Sequence, residues 1–243
     1  MLCKLYKRKF KLSVIFNQCN QSFSNISKEW MRRHLKDSYV KQSRYQNYRS
    51  RAAFKLIEID DKYNLLKPGM IVLECGAAPG SWTQVFVERL KLSPPGQQKT
   101  GAVIALDRSD FASVAGAICL PKTDFTSQLS QARILEALNE RKIDLIASDM
   151  APNVTGQHDL DHERILSLVK AVIRFATISL KPSGHLLAKL FNGRETDSLL
   201  RSLSDSFELV KIVKPPASRV DSTESYILCK NYQKPADSQE AYD

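Results

Sequence analysis

The stretch MIVLECGAAPGSW, residues 70–82, carries the clearest structural pattern in the sequence. Its first half is a short apolar run, as in a strand buried on both faces, and its second half is a turn of small residues before a helix predicted from Ser81. Small residues at such a turn let a ligand come close to the backbone. The turn is not GxGxxG, and it lacks the Gly-Lys-Ser/Thr ending of a P-loop. The stretch therefore predicts a ligand-binding β–α turn, with a turn required only for packing as the alternative.

Apolar runs and helical patterns alternate on the C-terminal side of this turn. Further strands are predicted at 102–107, 116–120, 143–148, 185–191, 207–213 and 224–229. Helices are predicted at about 127–141, 160–180 and 195–205. This alternation predicts an α/β fold, with a mostly parallel sheet covered by helices on both faces. The last two runs have no helix between them, which predicts one antiparallel strand.

Three aspartates follow three successive predicted strands. Asp107 ends the second strand, Asp124 follows the third, and Asp149 follows the fourth. Because the carboxyl ends of parallel strands share one edge of a sheet, these acids are expected to converge there. An acid at the position of Asp107 commonly holds ribose hydroxyls. The alternative for each aspartate taken singly is a helix N-cap.

Charged residues also occur where burial is expected. Lys189 lies within the apolar run HLLAKLF, and a lysine is rarely buried without a partner, which Asp149 could supply. Lys55 lies on a helix predicted over 50–63, and Glu224 begins the last strand; each alone is compatible with a solvated surface position. His158 and His162, with the acids around them, form only a weak metal-ligand pattern, and no metal is expected.

The positive charge is concentrated in the first quarter of the chain. Residues 1–55 hold 14 Lys+Arg against two acids, whereas the remaining residues hold 22 against 24. This asymmetry indicates an arm that contacts nucleic acid, a targeting peptide, or both, with a solvated tail as the alternative. The five cysteines form no CxxC pair, and no apolar run is long enough to span a membrane.

Three segments are predicted. Residues 1–27 contain no acid, five bases before Ser13 and a Ser/Asn-rich continuation, as in a mitochondrial presequence. Residues 28–232 form the folded domain, whose basic N-terminal segment, 28–55, includes a helix over 28–42. Residues 233–243 are a polar tail.

The sequence resembles the FtsJ-like family of RNA ribose 2′-O-methyltransferases. The matching segments are SRAAFKL (50–56), LKPGM (66–70), GAAPGSW (76–82), ALDRSD (105–110), DF (124–125), SDMAPN (148–153), LKPSGHLLAKLF (180–191) and SRVDSTESYILC (218–229). Within the family it is most similar to the bacterial-type large-subunit rRNA uridine methyltransferases and their mitochondrial counterparts. Ser81, where bacterial relatives often have Gly, and an insertion at 94–100 are the departures from the pattern.

The resemblance implies a Rossmann-like, seven-stranded methyltransferase sheet that uses S-adenosylmethionine. The cofactor contacts that it implies are Pro79, Gly80, Ser81, Trp82, Asp107, Asp124 and Asp149. Of these, the turn residues would line the methionine and sulfonium side, Asp107 would hold the ribose and Asp124 would contact the adenine edge. The catalytic tetrad that it implies consists of Lys55, Asp149, Lys189 and Glu224.

A ribose hydroxyl is a weak nucleophile, so the enzyme must align it with the methyl group and help it to lose its proton. Lys189 is expected to act as the base or as the electrostatic stabiliser of the developing alkoxide, oriented by Asp149. As a base it must be neutral, which a second cation at Lys55 would favour.

The expected partner is RNA: a uridine in mitochondrial large-subunit rRNA or a pre-ribosomal particle, in the matrix, in support of ribosome biogenesis. The enzyme is expected to be a monomer apart from that particle. The basic residues expected to meet RNA phosphates are Arg32, Arg33, Lys36, Lys41, Arg44, Arg49 and Arg51. Interleaved with them, Tyr39, Tyr45 and Tyr48 are expected to stack on bases or simply to pack. The alternatives are a tRNA or mRNA-cap 2′-O-methyltransferase, an rRNA-binding assembly factor with dispensable catalysis, and a nicotinamide-dependent oxidoreductase.

Overall fold

The computed structural model describes residues 32, 35–92, 101–153, 155–191, 193, 195–220 and 222–233. The strands of these residues are β1 (Ile71–Cys75), β2 (Ala102–Leu106), β3 (Ile118–Leu120), β4 (Ile143–Ser148), β5 (Leu180–Phe191), β6 (Phe207–Val213) and β7 (Glu224–Tyr232). The helices are α1 (Ser38–Tyr45), α2 (Ala53–Tyr63), α3 (Ser81–Arg89), α4 (Gln128–Leu138), α5 (His158–Ser179) and α6 (Thr196–Ser204). The predicted presequence, 1–27, and all of the predicted tail except its first residue lie outside the described residues.

The seven described strands form one sheet in the order β3-β2-β1-β4-β5-β7-β6. Strands β1 to β5 pair in parallel, whereas β7 is antiparallel to both of its neighbours. The prediction of a mostly parallel sheet with one antiparallel strand is therefore confirmed. The chain leaves β1 toward β3 and returns to β4 on the other side of β1. This reversal creates a crevice at the carboxyl ends of β1 and β4, where ligands bind in folds of this type.

Each face of the sheet has its own hydrophobic core, because successive strand residues point to opposite faces. One core lies beneath α2 and α3. Its strand residues include Val72, Val103, Leu145, Leu187 and Leu228. The other core lies beneath α4, α5 and α6. Its strand residues include Leu73, Ile104, Ile146, Leu186 and Ile227.

Two predicted segments are organised differently in the structure. The helix predicted over 28–42 is interrupted at Asp37: Arg32, Leu35 and Lys36 are helical, and α1 begins at Ser38, where the side chain of Asp37 caps it by accepting a hydrogen bond from the Tyr39 amide (3.0 Å). The predicted turn at 181–184 belongs instead to an irregular start of β5. There Leu180, which is buried, pairs with Ile143, and the register shifts before the next pair. None of the helices in the described part of the chain is both long and apolar enough to cross a membrane.

Candidate active site

The three predicted aspartates line one cavity at the crevice between β1 and β4. Its volume is about 750 Å³, and Asp107, Asp124 and Asp149 all contribute to its wall. Gly76 and Ala78, from the turn after β1, and Met150, after β4, close its base. The prediction that these acids share one edge of the sheet is confirmed. The size falls within the usual range for a small-molecule site.

Gly76 occupies a position that tolerates no side chain. Its φ is +85°, and a Cβ atom there would lie 2.6 Å from the Met150 nitrogen and 2.9 Å from the Met150 Cα. The obstacle is backbone, which cannot swing aside. The turn therefore needs glycine for its conformation and also to let the loop after β4 approach it.

Asp107 and Asp124 are held rigidly by neighbouring backbone groups. The two carboxylate oxygens of Asp107 accept hydrogen bonds from the amides of Ala78 (2.9 Å) and Ser109 (2.7 Å). Asp124 accepts hydrogen bonds from the amide and hydroxyl of Thr126, and the hydroxyl bond is the main cause that lowers the pKa of Asp124. Neither residue caps a helix; both present a charged edge to the cavity.

None of the four turn residues predicted to contact the cofactor, Pro79, Gly80, Ser81 and Trp82, belongs to the cavity wall. The side chains of Ser81 and Trp82 are buried. The Trp82 indole donates a hydrogen bond to the Ala52 carbonyl (2.8 Å), and the Ser81 and Ser50 hydroxyls are 2.8 Å apart. Contact between a cofactor and Pro79, Gly80, Ser81 or Trp82 stays a prediction.

The four residues of the predicted tetrad converge beside this cavity. Lys55 comes from α2, Asp149 from the end of β4, Lys189 from β5 and Glu224 from β7. The Lys55 ammonium lies 2.6 Å from one Glu224 oxygen, and the Lys189 ammonium lies 2.8 Å from the other. Lys189 is also 3.2 Å from Asp149 Oδ1. The result is a buried chain of alternating charges, Lys55–Glu224–Lys189–Asp149.

The charges of this chain stabilise one another. Burial is the largest single influence on Lys189 and lowers its pKa, but Asp149 and Glu224 together outweigh it and raise the pKa above the ordinary value. Burial is also the largest influence on Glu224 and raises its pKa, yet the two lysines bring it down to about 2. The raised pKa favours the charged form of Lys189, and Glu224 lies between the two ammonium groups.

Tyr226 and Ser218 belong to the site, although sequence reasoning missed both. The Tyr226 hydroxyl donates a hydrogen bond to Asp149 Oδ1 (2.8 Å), and its ring is fully buried against Trp82. The Ser218 hydroxyl donates to Glu224 Oε1 (2.9 Å). Tyr226 follows Glu224 by two positions on a strand and so shares its face, which was an available signal. Ser218 lies in a loop, where no periodicity identifies it.

Removing the Tyr226 hydroxyl should disturb Asp149 without emptying the core. We expect Tyr226→Phe to lower kcat for the expected methyl transfer by about 10- to 150-fold, because a buried hydrogen bond to a charged group contributes about 1.5–3 kcal/mol. Cofactor affinity should change by less than threefold. Steady-state kinetics and calorimetric titration measure the two quantities, and an unchanged kcat would show that Asp149 needs no such partner. Tyr232→Phe, at another largely buried tyrosine, is the control.

Glu74 is a buried acid directly beneath the turn. It is 1% exposed and accepts a hydrogen bond from the Thr83 hydroxyl (2.6 Å). Burial, the main cause, raises its pKa from 4.5 to about 8. The folded chain thus keeps this proton to higher pH than the unfolded chain does. The stability that depends on the proton is complete below pH 4.5 and is lost as the pH rises toward 8.

Glu74→Gln should therefore stabilise the protein more at high pH than at low pH. A glutamine can still accept the Thr83 hydrogen bond, and it has no proton to lose. We expect the difference in unfolding free energy, variant minus wild type, to grow by on the order of 3 kcal/mol between pH 5 and pH 8. Urea unfolding at both pH values measures it. Equal differences at the two pH values would mean that Glu74 is ionised throughout.

Two arginines of the basic segment bind the protein itself. The Arg49 guanidinium donates hydrogen bonds to the carbonyls of Pro79 (2.9 Å) and Ser113 (2.7 Å). Arg51 pairs with Asp37 (2.8 Å) and donates to the Ala217 carbonyl (2.6 Å). These contacts fasten the segment to the turn after β1 and to the β6–β7 loop, and contact between either arginine and a phosphate stays a prediction.

The other predicted RNA contacts remain available where they are described. Arg32, Lys36, Lys41 and Arg44 are exposed, and the side chain of Arg33 lies outside the described residues. The Tyr39 and Tyr48 hydroxyls donate to Glu58 and Glu88, and both rings pack on Phe54. Tyr45, 87% exposed, is the tyrosine of this group that is free to stack.

The weak metal-ligand pattern has other partners. Asp161 accepts hydrogen bonds from Thr155 and from the Gly156 amide, and Nδ1 of His162 lies 2.8 Å from the Phe191 carbonyl. The His158 side chain is outside the described residues. No group of three potential metal ligands occurs in the part of the chain that the structure describes.

The fold and this site define a methyltransferase, and comparison with known proteins agrees. The model of the FtsJ-like methyltransferases matches residues 48–232, and the chain belongs to that family. It is 48% identical over 218 residues to "rRNA methyltransferase 2, mitochondrial" of Drosophila melanogaster, covering 88% of this chain and 86% of that protein. It is 44% identical to "Ribosomal RNA large subunit methyltransferase E" of Mesorhizobium japonicum, covering 85% and 76%.

A solved structure shares both fold and sequence with the chain. The crystal structure of a ribosomal RNA methyltransferase from Plasmodium falciparum superposes with a TM-score of 0.67 at 31% identity. The match covers 76% of this chain and 98% of that one.

Proposed function

We propose that the protein transfers a methyl group from S-adenosylmethionine to the ribose 2′-hydroxyl of a uridine in mitochondrial large-subunit rRNA, in support of ribosome biogenesis. The observation that carries the chemistry is the buried Lys55–Glu224–Lys189–Asp149 chain beside a cavity lined by acids. The names of the relatives support the RNA class, and one of them is mitochondrial.

The cavity fits S-adenosylmethionine by its size and by its hydrogen-bonding groups. We assign Asp107 to the ribose hydroxyls, because a fixed carboxylate can accept hydrogen bonds from two neighbouring hydroxyls. Asp124 is assigned to the adenine edge. The bound cofactor supplies an electrophilic methyl group on a positively charged sulfur. Gly76 lets it lie against the backbone, and Asp149 marks the side of the cavity where the substrate hydroxyl must enter.

Lys189 then acts as a cation. Its raised pKa makes a neutral lysine unfavourable, so we assign it to stabilising the charge that develops on the 2′-oxygen. Asp149, on the cavity wall, is assigned to accepting the hydrogen bond and the proton of the hydroxyl. Glu224 holds Lys189 in place and is itself held by Lys55 and Ser218. Because these side chains are already held in place, they need to move little during the reaction.

The basic segment supplies the RNA contact in this proposal. We expect the double reversal Lys41→Glu/Arg44→Glu to weaken RNA binding and to reduce the slope of log affinity against log salt concentration by about 2, because cations that neutralise phosphates release counterions. Filter binding over a range of salt concentrations measures the slope. Cofactor affinity should not change. An unaltered slope would show that the positive charge of α1 does not contribute to RNA binding.

The decisive experiment maps methylation. The purified protein, given S-adenosylmethionine and either mitochondrial large-subunit rRNA, its precursor particle or tRNA, should methylate a uridine ribose only in the first two. Thermal stabilisation by S-adenosylhomocysteine but not by NAD would separate this reading from an oxidoreductase. Methylation of tRNA alone would contradict the proposal. A catalytically dead variant that fully restores ribosome assembly in cells would make the protein an assembly factor.

The location of the protein in the cell is tested in a separate experiment. Residues 1–27, fused to a reporter, should direct it to the mitochondrial matrix, because the segment combines bases with an absence of acids. A reporter that stays in the cytosol would contradict this part of the proposal but would not bear on the proposed reaction.

A further inference from the structure

A second concentration of positive charge lies at the opposite end of the sheet from the catalytic tetrad. It consists of Lys62, Lys67, Lys211 and Lys230 around Tyr63 and His185, and we call it the lysine surface. Lys62 and Tyr63 end α2, Lys67 precedes β1, and the other members lie on β5, β6 and β7. The net charge of residues 56–243 is slightly negative, so composition gives no sign of this concentration.

The strand register places its β members on one face. Leu187 and Leu228, which pair across β5 and β7, belong to the core beneath α2 and α3. Lys230 and His185 each lie two positions from one of these leucines and so point to the same face. Lys211 pairs with Leu228 on the other side. The lysine surface therefore lies at the edge of that core, next to the last turn of α2.

Direct contacts show that the lysines are close together. The ammonium groups of Lys62 and Lys211 lie 5.5 and 5.1 Å from the centre of the Tyr63 ring, and Lys230 donates a hydrogen bond to the Tyr63 carbonyl (2.8 Å). Burial is the main cause that lowers the pKa of His185, and the charges of Lys230, Lys67 and Lys181 lower it further. Three lysines are thus near this one imidazole.

Nearby acids do not neutralise the lysine surface in the described structure. Asp144 pairs with Lys181, and Glu208 accepts a hydrogen bond from the Asn231 side chain (2.9 Å). Lys62, Lys67 and Lys211 are exposed, and none of them has a carboxylate partner within salt-bridge distance among the residues described. Cations gathered in this way repel one another, and a bound polyanion would relieve that repulsion.

We propose that the lysine surface is a second RNA-binding surface, which holds the phosphates of a segment of the large rRNA away from the nucleotide being methylated. This inference rests on the proposed function. Lys189 lies four positions beyond His185 on β5, a distance of about 13 Å along the strand. One segment of RNA in the cavity therefore need not cover the lysine surface, whereas a large folded RNA reaches both.

The test uses the double variant Lys62→Glu/Lys211→Glu. Its control, Arg133→Glu/Arg201→Glu, makes the same change in net charge at exposed positions of α4 and α6, on the other face of the sheet. Binding is measured on protein-free large-subunit rRNA, on the assembled precursor particle, and on a short fragment that contains the methylated uridine. Stabilisation by S-adenosylhomocysteine confirms that both variants are folded.

We expect the Lys62/Lys211 variant to bind the full rRNA at least about fivefold more weakly, with a salt slope reduced by about 2. KM for the full rRNA should rise, while kcat, and both constants on the fragment, stay within twofold of wild type. The control variant should match wild type throughout.

Three results would overturn the proposal. The first is equal behaviour of the two variants. The second is a defect on the fragment as large as that on the full rRNA, which would mean a general effect on the site. The third is a defect confined to the assembled particle, which would identify a ribosomal protein as the partner. If the wild type binds rRNA but methylates neither RNA, the proposed function fails while the binding comparison still decides the lysine surface.

Discussion

Lys189→Ala should remove nearly all methyl transfer while leaving cofactor binding close to that of wild type. The ammonium group lies between Asp149 and Glu224, so its loss removes the charge assigned to the 2′-oxygen and leaves Asp149 without a cation, while Glu224 keeps Lys55. Loss of one positioned group of this kind costs about 10²–10⁴-fold in rate. Asp149→Ala should be comparably inactive and should also weaken cofactor binding, because Asp149 lines the cavity.

Single-turnover assays on a competent RNA, together with calorimetric titration of S-adenosylhomocysteine, measure both effects. A Lys189→Ala enzyme within threefold of wild type would eliminate the assignment. The pH profile of the wild type adds an independent test. A lysine that acts as a cation keeps kcat level between pH 7 and pH 9, whereas a lysine that acts as a base makes it rise over that range.

Gly76→Ala should nearly abolish cofactor binding. The methyl group would overlap the backbone of Met150, so the turn after β1 or the loop after β4 must move, and both border the cavity. Strain of a positive φ costs an alanine on the order of 1 kcal/mol, and the overlap adds about 1–3 kcal/mol. We expect affinity for S-adenosylhomocysteine to fall at least about 100-fold, a loss of about 3 kcal/mol.

The matched control for this change is Gly156→Ala. Gly156 has nearly the same φ, +84°, but an added Cβ would meet nothing within 4 Å. Both variants therefore bear the conformational strain, and only Gly76→Ala bears the overlap. If both variants bind the cofactor equally well, close approach of the backbone at Gly76 is not what shapes the site.

The parts of the fold that the sequence predicted well are those set by local periodicity. Strand β6 begins and ends at the predicted residues, 207 and 213, because an apolar run between two turn signals leaves little choice. The positions of Asp107, Asp124 and Asp149 could also be predicted, because residues that follow parallel strands lie at the same edge of the sheet. Lys189 was predictable because a lysine in an apolar strand needs a partner.

Other features depended on contacts between distant segments, which periodicity does not report. Arg49 and Arg51 look like phosphate ligands in sequence, yet each also donates hydrogen bonds to backbone carbonyls of distant loops. The charge state of Lys189 depends on Glu224 lying between it and Lys55, and that order follows from how β7 inserts beside β5. The lysine surface arises from four separate segments whose charges are unremarkable along the chain.

The clasp formed by Arg51, Ala217 and Glu58 has a consequence for how the enzyme matures. Glu58 accepts a hydrogen bond from the Ala217 amide (2.7 Å), and Arg51 donates one to the carbonyl of the same residue. Helix α2 and the segment before it are therefore bonded to the loop that leads into β7. Lys55, near the start of the folded domain, pairs with Glu224, near its end, so one partner is synthesised long before the other. With the catalytic role proposed for this pair, a newly made chain gains activity only after β7 has inserted between β5 and β6. Activity thus reports that synthesis and folding are finished.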